Sequence, residues 1–195
     1  MYSKGFSVKR KAFTIFTLYL IVMFLIQMSS EIYIYNKEDN LFLSHYYFIL
    51  QFILLSFFYI YILDNNFQKN IIKVSVPTCL IILGIQYYLN NNLFYTFNLF
   101  EVFITSFLLI IFSMFHFYNI LNEKKEYYYI NTGILLYLFS STVLFICGNL
   151  ISKLDRKPSE IIWILNAFLY IIYQLLIFKE WWDFFLKKTN KENDE

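Results

Sequence analysis

Charged side chains are scarce in this sequence. Only 15% of its 195 residues are Asp, Glu, Lys or Arg, against about 25% in a soluble globular domain. A water-soluble fold is therefore not expected. The net charge of +2 lacks the basic excess that neutralises a phosphate backbone, so nucleic acid is not an expected partner. Cysteine is rarer still: Cys79 and Cys147 sit in apolar runs without a CxxC pairing and read as small buried hydrophobes rather than redox or zinc ligands. No HExxH, GxSxG, P-loop or GxGxxG is present, which leaves out the usual zinc-peptidase, hydrolase and nucleotide signatures. Neither a cofactor nor catalytic turnover is expected. Among only 4 glycines, Gly133 and Gly148 are not in GxxxG register, so helices should pack through large side chains rather than a glycine seam.

What the sequence does contain is apolar length. Hydrophobic residues make up 59% of the chain, and they fall in runs near the ~20 residues that a helical membrane span requires. The runs place spans at about 12–29, 43–63, 71–89, 98–121, 128–151 and 161–182. Because they are continuously apolar rather than alternating in ~10-residue segments, helices are predicted and barrel strands are not. The first run follows Lys4, Lys9, Arg10 and Lys11 like a signal sequence, but no small-residue cleavage site follows, so it reads as a retained helix. The expected fold is an all-α, polytopic transmembrane helical bundle of about six spans. Residues 1–186 would form one membrane domain, and 187–195, with no apolar residue to bury, a disordered cytoplasmic tail.

Placing both termini inside (N-in/C-in) puts all Lys and Arg in the cytoplasm except Lys37, Lys153, Arg156 and Lys157, which satisfies the positive-inside rule. The loop holding the last three is a local violation. The 24 Phe and 18 Tyr suit an AT-rich coding sequence better than an aromatic ligand cage. Several rings still cluster where this topology puts the interfaces, including Tyr87 and Tyr88 outside and Tyr127, Tyr128 and Tyr129 inside. Trp163 and Trp181 lie about 27 Å apart along a helix, close to the hydrocarbon thickness, and would anchor the sixth span at both ends.

Polar groups in lipid are costly and tend to face a bundle interior or a wet cavity. With N-in/C-in, Gln27, Glu31, His45, Gln51, Gln86, Glu101 and Asn166 all fall in or near the outer half. Gln27 and Glu31, and separately Asn166, Tyr170 and Gln174, repeat at i,i+4 and so share a helix face. Glu31, Gln51, Glu101 and Asn166 are the candidate intramembrane polar site. Two readings stand: an outward vestibule binding a cation, a proton or an amine-bearing ligand, or ordinary interhelical hydrogen bonding. Glu101 is the sharpest of the four, deep if its helix begins near Leu93 and interfacial if it begins near Asn98. His45 and His116 lie at opposite ends of their helices and cannot share an ion, so no metal site is expected. His116 alone reads as a hydrogen-bonded helix residue. Ser140, Ser141 and Thr142 have no local base. Pro77 and Gly84 interrupt the third span without a counterpart in the sixth, so the matched broken helices of many transporters are not seen.

Met28-Ser-Ser-Glu31, Phe100-Glu101-Val102, Tyr129-Ile-Asn-Thr-Gly133 with Leu136-Tyr137, and Trp163-Ile-Leu-Asn166 resemble segments of a group of small, uncharacterised six-helix bacterial inner-membrane proteins, some encoded beside sensor kinases. That group leads one to expect an acid where this chain has Gln51 and a His where it has Asn166. The resemblance implies an inner-membrane location and adds weight to a sensory role. Two functions follow as expectations: a noncatalytic sensory or accessory subunit acting through a membrane-protein partner such as a sensor kinase, or a small-solute or ion transporter with an outward-facing polar site around Glu101. Beyond such a protein, the lipid bilayer itself is the expected partner.

Overall fold

A computed structural model describes the backbone of residues 2–121, 126–152 and 158–193, and the side chains of 11–121, 126–148, 161–162 and 164–184. Six α-helices follow in order: α1 Tyr2–Tyr35, α2 Leu41–Ile62, α3 Asn66–Leu89, α4 Leu99–Ile120, α5 Tyr128–Ser152 and α6 Pro158–Asn193, with a 3₁₀ helix at Asn91–Tyr95 between α3 and α4. Each contains a stretch long and apolar enough to cross a membrane, and no strand occurs among the described residues. The chain is an all-α, multi-pass integral membrane protein. Helices are what an apolar run must form in hydrocarbon, where every backbone N–H and C=O has to be satisfied within the segment.

Local chemistry sets the helix ends. Lys37 takes a left-handed conformation (φ 60), and the bonds from Glu38 N–H to Tyr33 O (2.9 Å) and Lys37 N–H to Ile34 O (3.0 Å) close α1 as a Schellman turn. Asp39 accepts from Leu41 N–H (2.9 Å) as α2 begins. Asn65 accepts from Phe67 N–H (2.8 Å), so α3 starts at Asn66, a turn before the apolar run does. Pro77 lies inside α3 without ending it, and Thr78 Oγ1 one residue on donates to Val74 O at 2.8 Å. At the other end of the chain, α6 continues as helix to Asn193 instead of stopping near Lys187. Lys and Glu are good helix formers, and extending an existing helix needs no new nucleus.

The chain divides into two compact units, residues 1–112 and 113–195, with the division inside α4. Short connections make sequence neighbours packing neighbours, so α1 lies on α2 and α5 on α6. Lipid supplies no hydrophobic drive toward one common core.

In the first unit, Phe16, Tyr19 and Met23 of α1 and Phe52, Leu55, Phe58 and Tyr59 of α2 are buried. Their rings engage in a chain: Phe16 on Phe58 at 5.2 Å between centroids, Phe58 on Tyr59 at 5.5 Å, and Tyr59 on Phe112 of α4 at 6.4 Å. In the second unit, Gly133 of α5 lies directly under Tyr173 of α6, whose ring stacks on Tyr137 at 5.4 Å and 9°. Asn131 and Ser113 bond reciprocally, Asn131 Nδ2 to Ser113 O at 3.1 Å and Ser113 Oγ to Asn131 Oδ1 at 3.0 Å, joining the last turns of α4 to α5. Glu180 Oε2 accepts from Tyr129 N–H at 2.7 Å, so a carboxylate from α6 caps the positive end of α5. His116 Nε2 bonds Glu126 O at 3.0 Å, in line with its expected role. In the turn before α5, Tyr127 adopts φ 54. Burial pushes its hydroxyl pKa up to about 12, with the carboxylates of Glu126 and Glu180 adding to the rise. Cys79 is buried as expected, but Cys147 is exposed, because a small apolar thiol on a lipid-facing surface costs nothing. Trp181 and Trp182 are exposed, whereas the side chain of Trp163 lies outside the described residues.

Candidate functional site

The N-terminus of α4 organises the strongest polar cluster of the first unit. Asn98 precedes the helix, and its Oδ1 accepts from Glu101 N–H at 3.3 Å, an Asn-x-x-Glu start in which the carboxylate has turned away from the usual reciprocal bond. Glu101 instead reaches α2 and α3. Its Oε2 lies 2.8 Å from His45 Nδ1 and accepts the Tyr87 hydroxyl. Tyr87 Oη is also 2.8 Å from His45 Nδ1, so the three groups form a closed triangle. Asn98 Nδ2 completes the ring of contacts, donating to Tyr87 Oη at 3.2 Å and to Gln86 Oε1 at 3.1 Å.

Helical spacing explains why these side chains meet. Cys79 and Leu83 are buried on α3, and Tyr87 continues their i,i+4 row toward Glu101. His45 lies one turn into α2, on the side of the helix that also buries Phe52 and Tyr59. Glu101 has 0% of its surface exposed and His45 3%.

Aromatic rings cover the centre from the connecting segment. Phe94 of the 3₁₀ helix stacks on the His45 ring at 5.6 Å and 29°, and meets Phe42 at 6.4 Å and Tyr46 at 6.3 Å. Tyr87 meets His45 edge-on at 5.4 Å. This cover adds to the depth argument: α4 begins near Asn98, where the sequence reading puts Glu101 at the interface, and the protein encloses Glu101 fully there. Protein, not hydrocarbon depth, removes it from water.

The other candidates of the first unit, Gln51 and Glu31, make their bonds outside this cluster. Gln51 is buried about one and two-thirds turns further along α2 than His45, and its Nε2 donates to Tyr19 Oη at 3.2 Å, joining α1 to α2. Glu31 is exposed near the end of α1, where its Oε1 accepts from Gln27 Nε2 at 3.3 Å within the same helix. Asn166 belongs to the second unit; its Oδ1 is buried without a hydrogen-bond partner, and Tyr170 bonds Gln174 one turn further on. Tyr87, Asn98 and Phe94 were not among the candidates. Tyr87 was read as an interfacial ring, although its spacing from Cys79 and Leu83 marks an inward face, and the Asn-x-x-Glu pattern marks Asn98 as a cap.

The chemistry of the centre follows from its donors. Oε2 of Glu101 is approached by an O–H and a ring nitrogen, an environment that suits a carboxylate. An ionised carboxylate removed from water needs a compensating charge, and His45 is the group placed to supply one. Two polar atoms have no partner: Glu101 Oε1 and His45 Nε2. Among the described residues no group of three or more His, Cys, Asp or Glu could hold a metal ion. No family model, curated protein or solved structure matches this chain.

Proposed function

We propose that the protein is a noncatalytic sensory or accessory subunit of a bacterial inner membrane, acting through a membrane-protein partner such as a sensor kinase. The observation that carries this reading is the enclosed Glu101, held by side chains from α2 and α3 under an aromatic cover. Such a centre ties three helices together at one point, so a change in its charge or hydrogen bonding alters how those helices pack. A partner in the same bilayer reads packing changes through its own contacts. The N-in/C-in topology is part of the proposal, and it turns the His45–Glu101 end toward the outside. A second reading, a small-solute or ion transporter, draws on the unpartnered Glu101 Oε1 and His45 Nε2, since intramembrane ionisable groups also line ion and proton paths.

Reconstitution separates the two. Copurification with a membrane kinase or another membrane protein, without solute flux in proteoliposomes, is the expected result. Flux abolished by Glu101→Gln would replace the sensory reading with transport. Topology is checked with engineered thiols at Asn40 and Ser152, which should react with an impermeant reagent from outside; labelling only from the cytoplasmic side would invert it.

A further inference from the structure

We propose that the His45–Glu101 pair binds one proton from the outer aqueous phase, and that this proton holds the 3₁₀ segment Asn91–Tyr95 in place over the site. The proposal deepens the sensory reading by naming its stimulus, and its biological meaning rests on that reading.

Hydrogen positions limit where a proton can go. Glu101 Oε2 accepts the Tyr87 hydroxyl and faces His45 Nδ1, so Nδ1 carries a hydrogen whether the ring is neutral or charged. The position left for a second ring proton is Nε2, which is buried and without a partner. Proton uptake is then a single transfer: hydronium gives its proton to Nε2, water leaves, and neutral imidazole becomes imidazolium while Glu101 stays ionised. The buried pair changes from net negative to neutral.

No other buried group nearby supplies that positive charge. Titratable residues at this end of the surrounding elements are Glu31 and Tyr33 on α1, Lys37, Glu38 and Asp39 in the turn after it, Tyr46 and Tyr47 on α2, Cys79, Tyr87 and Tyr88 on α3, Tyr95 in the 3₁₀ helix and Glu101 on α4. Lys37 is the cation among them, and it is exposed. Glu31 is exposed and bonded to Gln27; Lys69 and Lys73 lie near the opposite end of α3. An unprotonated His45 therefore leaves a lone carboxylate charge sealed from water, which is costly.

Phe94 links that charge to the segment. Its ring stacks on His45, and an aromatic face attracts a cation more than a neutral ring. Protonation tightens the stack. Loss of the proton weakens it and makes hydration of Glu101 favourable, and the segment that would yield is this one, whose Asn91, Asn92, Tyr95 and Thr96 are already exposed.

The test uses the isolated protein in nanodiscs. The chain has 2 histidines, so ¹⁵N-histidine NMR with His116→Gln isolates His45. Its ring signals should show one protonation step over the pH range of the experiment. In a background with Trp163, Trp181 and Trp182 changed to Phe, the indole of Phe94→Trp should become more accessible to acrylamide as pH rises, with the same midpoint. His45→Gln should abolish that pH dependence. Amide exchange over residues 91–96, compared with His45→Gln at both ends of the range, gives the same readout in the otherwise unsubstituted chain. A His45 ring that does not titrate would overturn the proton site. Accessibility that stays flat while His45 titrates, or a pH dependence that survives His45→Gln, would overturn its control of the segment. A missing partner would end the sensory reading and leave these results standing.

Discussion

Gly133→Ala tests the α5–α6 packing directly, because two opposing effects of known size meet at one carbon. A methyl built on Gly133 would lie 2.7 Å from Tyr173 Cδ2, 3.3 Å from Cε2 and 3.4 Å from Leu176 Cβ. Carbon pairs rest at about 3.5–4.0 Å, so the ring must retreat by roughly 0.8 Å. Tyr173 is fully buried and stacked on Tyr137, and moving it disturbs both contacts. Overpacking of this kind costs about 1–3 kcal/mol. Replacing glycine within a helix returns up to about 1 kcal/mol, and less in a bilayer, where separated helices stay folded. Destabilisation by about 1–2 kcal/mol is the expected balance. Gly84 is the control: nothing lies within 4 Å of its added Cβ, so Gly84→Ala should be neutral or stabilising by up to about 1 kcal/mol. Both are read from tryptophan fluorescence across an SDS titration in mixed micelles. Tyr173→Leu combined with Gly133→Ala should recover part of the loss in a double-mutant cycle. If Gly133→Ala stabilises as much as Gly84→Ala, the two helices do not pack through this contact.

Glu101→Ala should destabilise the first unit by about 3–5 kcal/mol, because it leaves His45 and Tyr87 buried without their acceptor, whereas Glu101→Gln should cost clearly less; equal losses in the SDS titration would show that only the volume of the side chain matters. Tyr127 gives a pH dependence outside the membrane spans. Its raised pKa of about 12 means that the folded state favours the neutral phenol, so this stabilising contribution is complete below about pH 10 and is lost as pH rises to about 12. Tyr127→Phe should flatten stability over that alkaline range, and an unchanged slope would refute the assignment.

Hydrophobic run length is enough to find all six helices, since continuous apolar segments in lipid have a single way to satisfy their backbone. Their ends depend on individual side chains, which is why α3 starts at its Asn65 cap rather than at the first apolar residue. The polar site was only partly legible. His45, Gln86 and Glu101 stood out as polar groups in greasy surroundings, but hydropathy could not say which of them touch. Glu31 shares that polarity and faces out, because a residue near a helix end can reach the interface. Tyr87 was hidden by its own ambiguity: a tyrosine near a span end suits a headgroup belt as well as a buried hydrogen bond. Asn98 was legible as a cap in its Asn-x-x-Glu pattern, whereas the cover by Phe94 depends on a 3₁₀ turn that has no periodic signal.

The bond from Tyr129 N–H to Glu180 also has a mechanical side. It pins α6 to the first turn of α5, and α6 continues to Asn193, an arm of about 20 Å at helical rise. Force applied along that arm meets its fulcrum at Glu180 and is passed to the start of α5. There it bears on Tyr127, Asn131 and, through the Asn131–Ser113 bonds, on the last turns of α4. A protein gripping the end of α6 would thus act on the start of α5 and the end of α4 through a single handle.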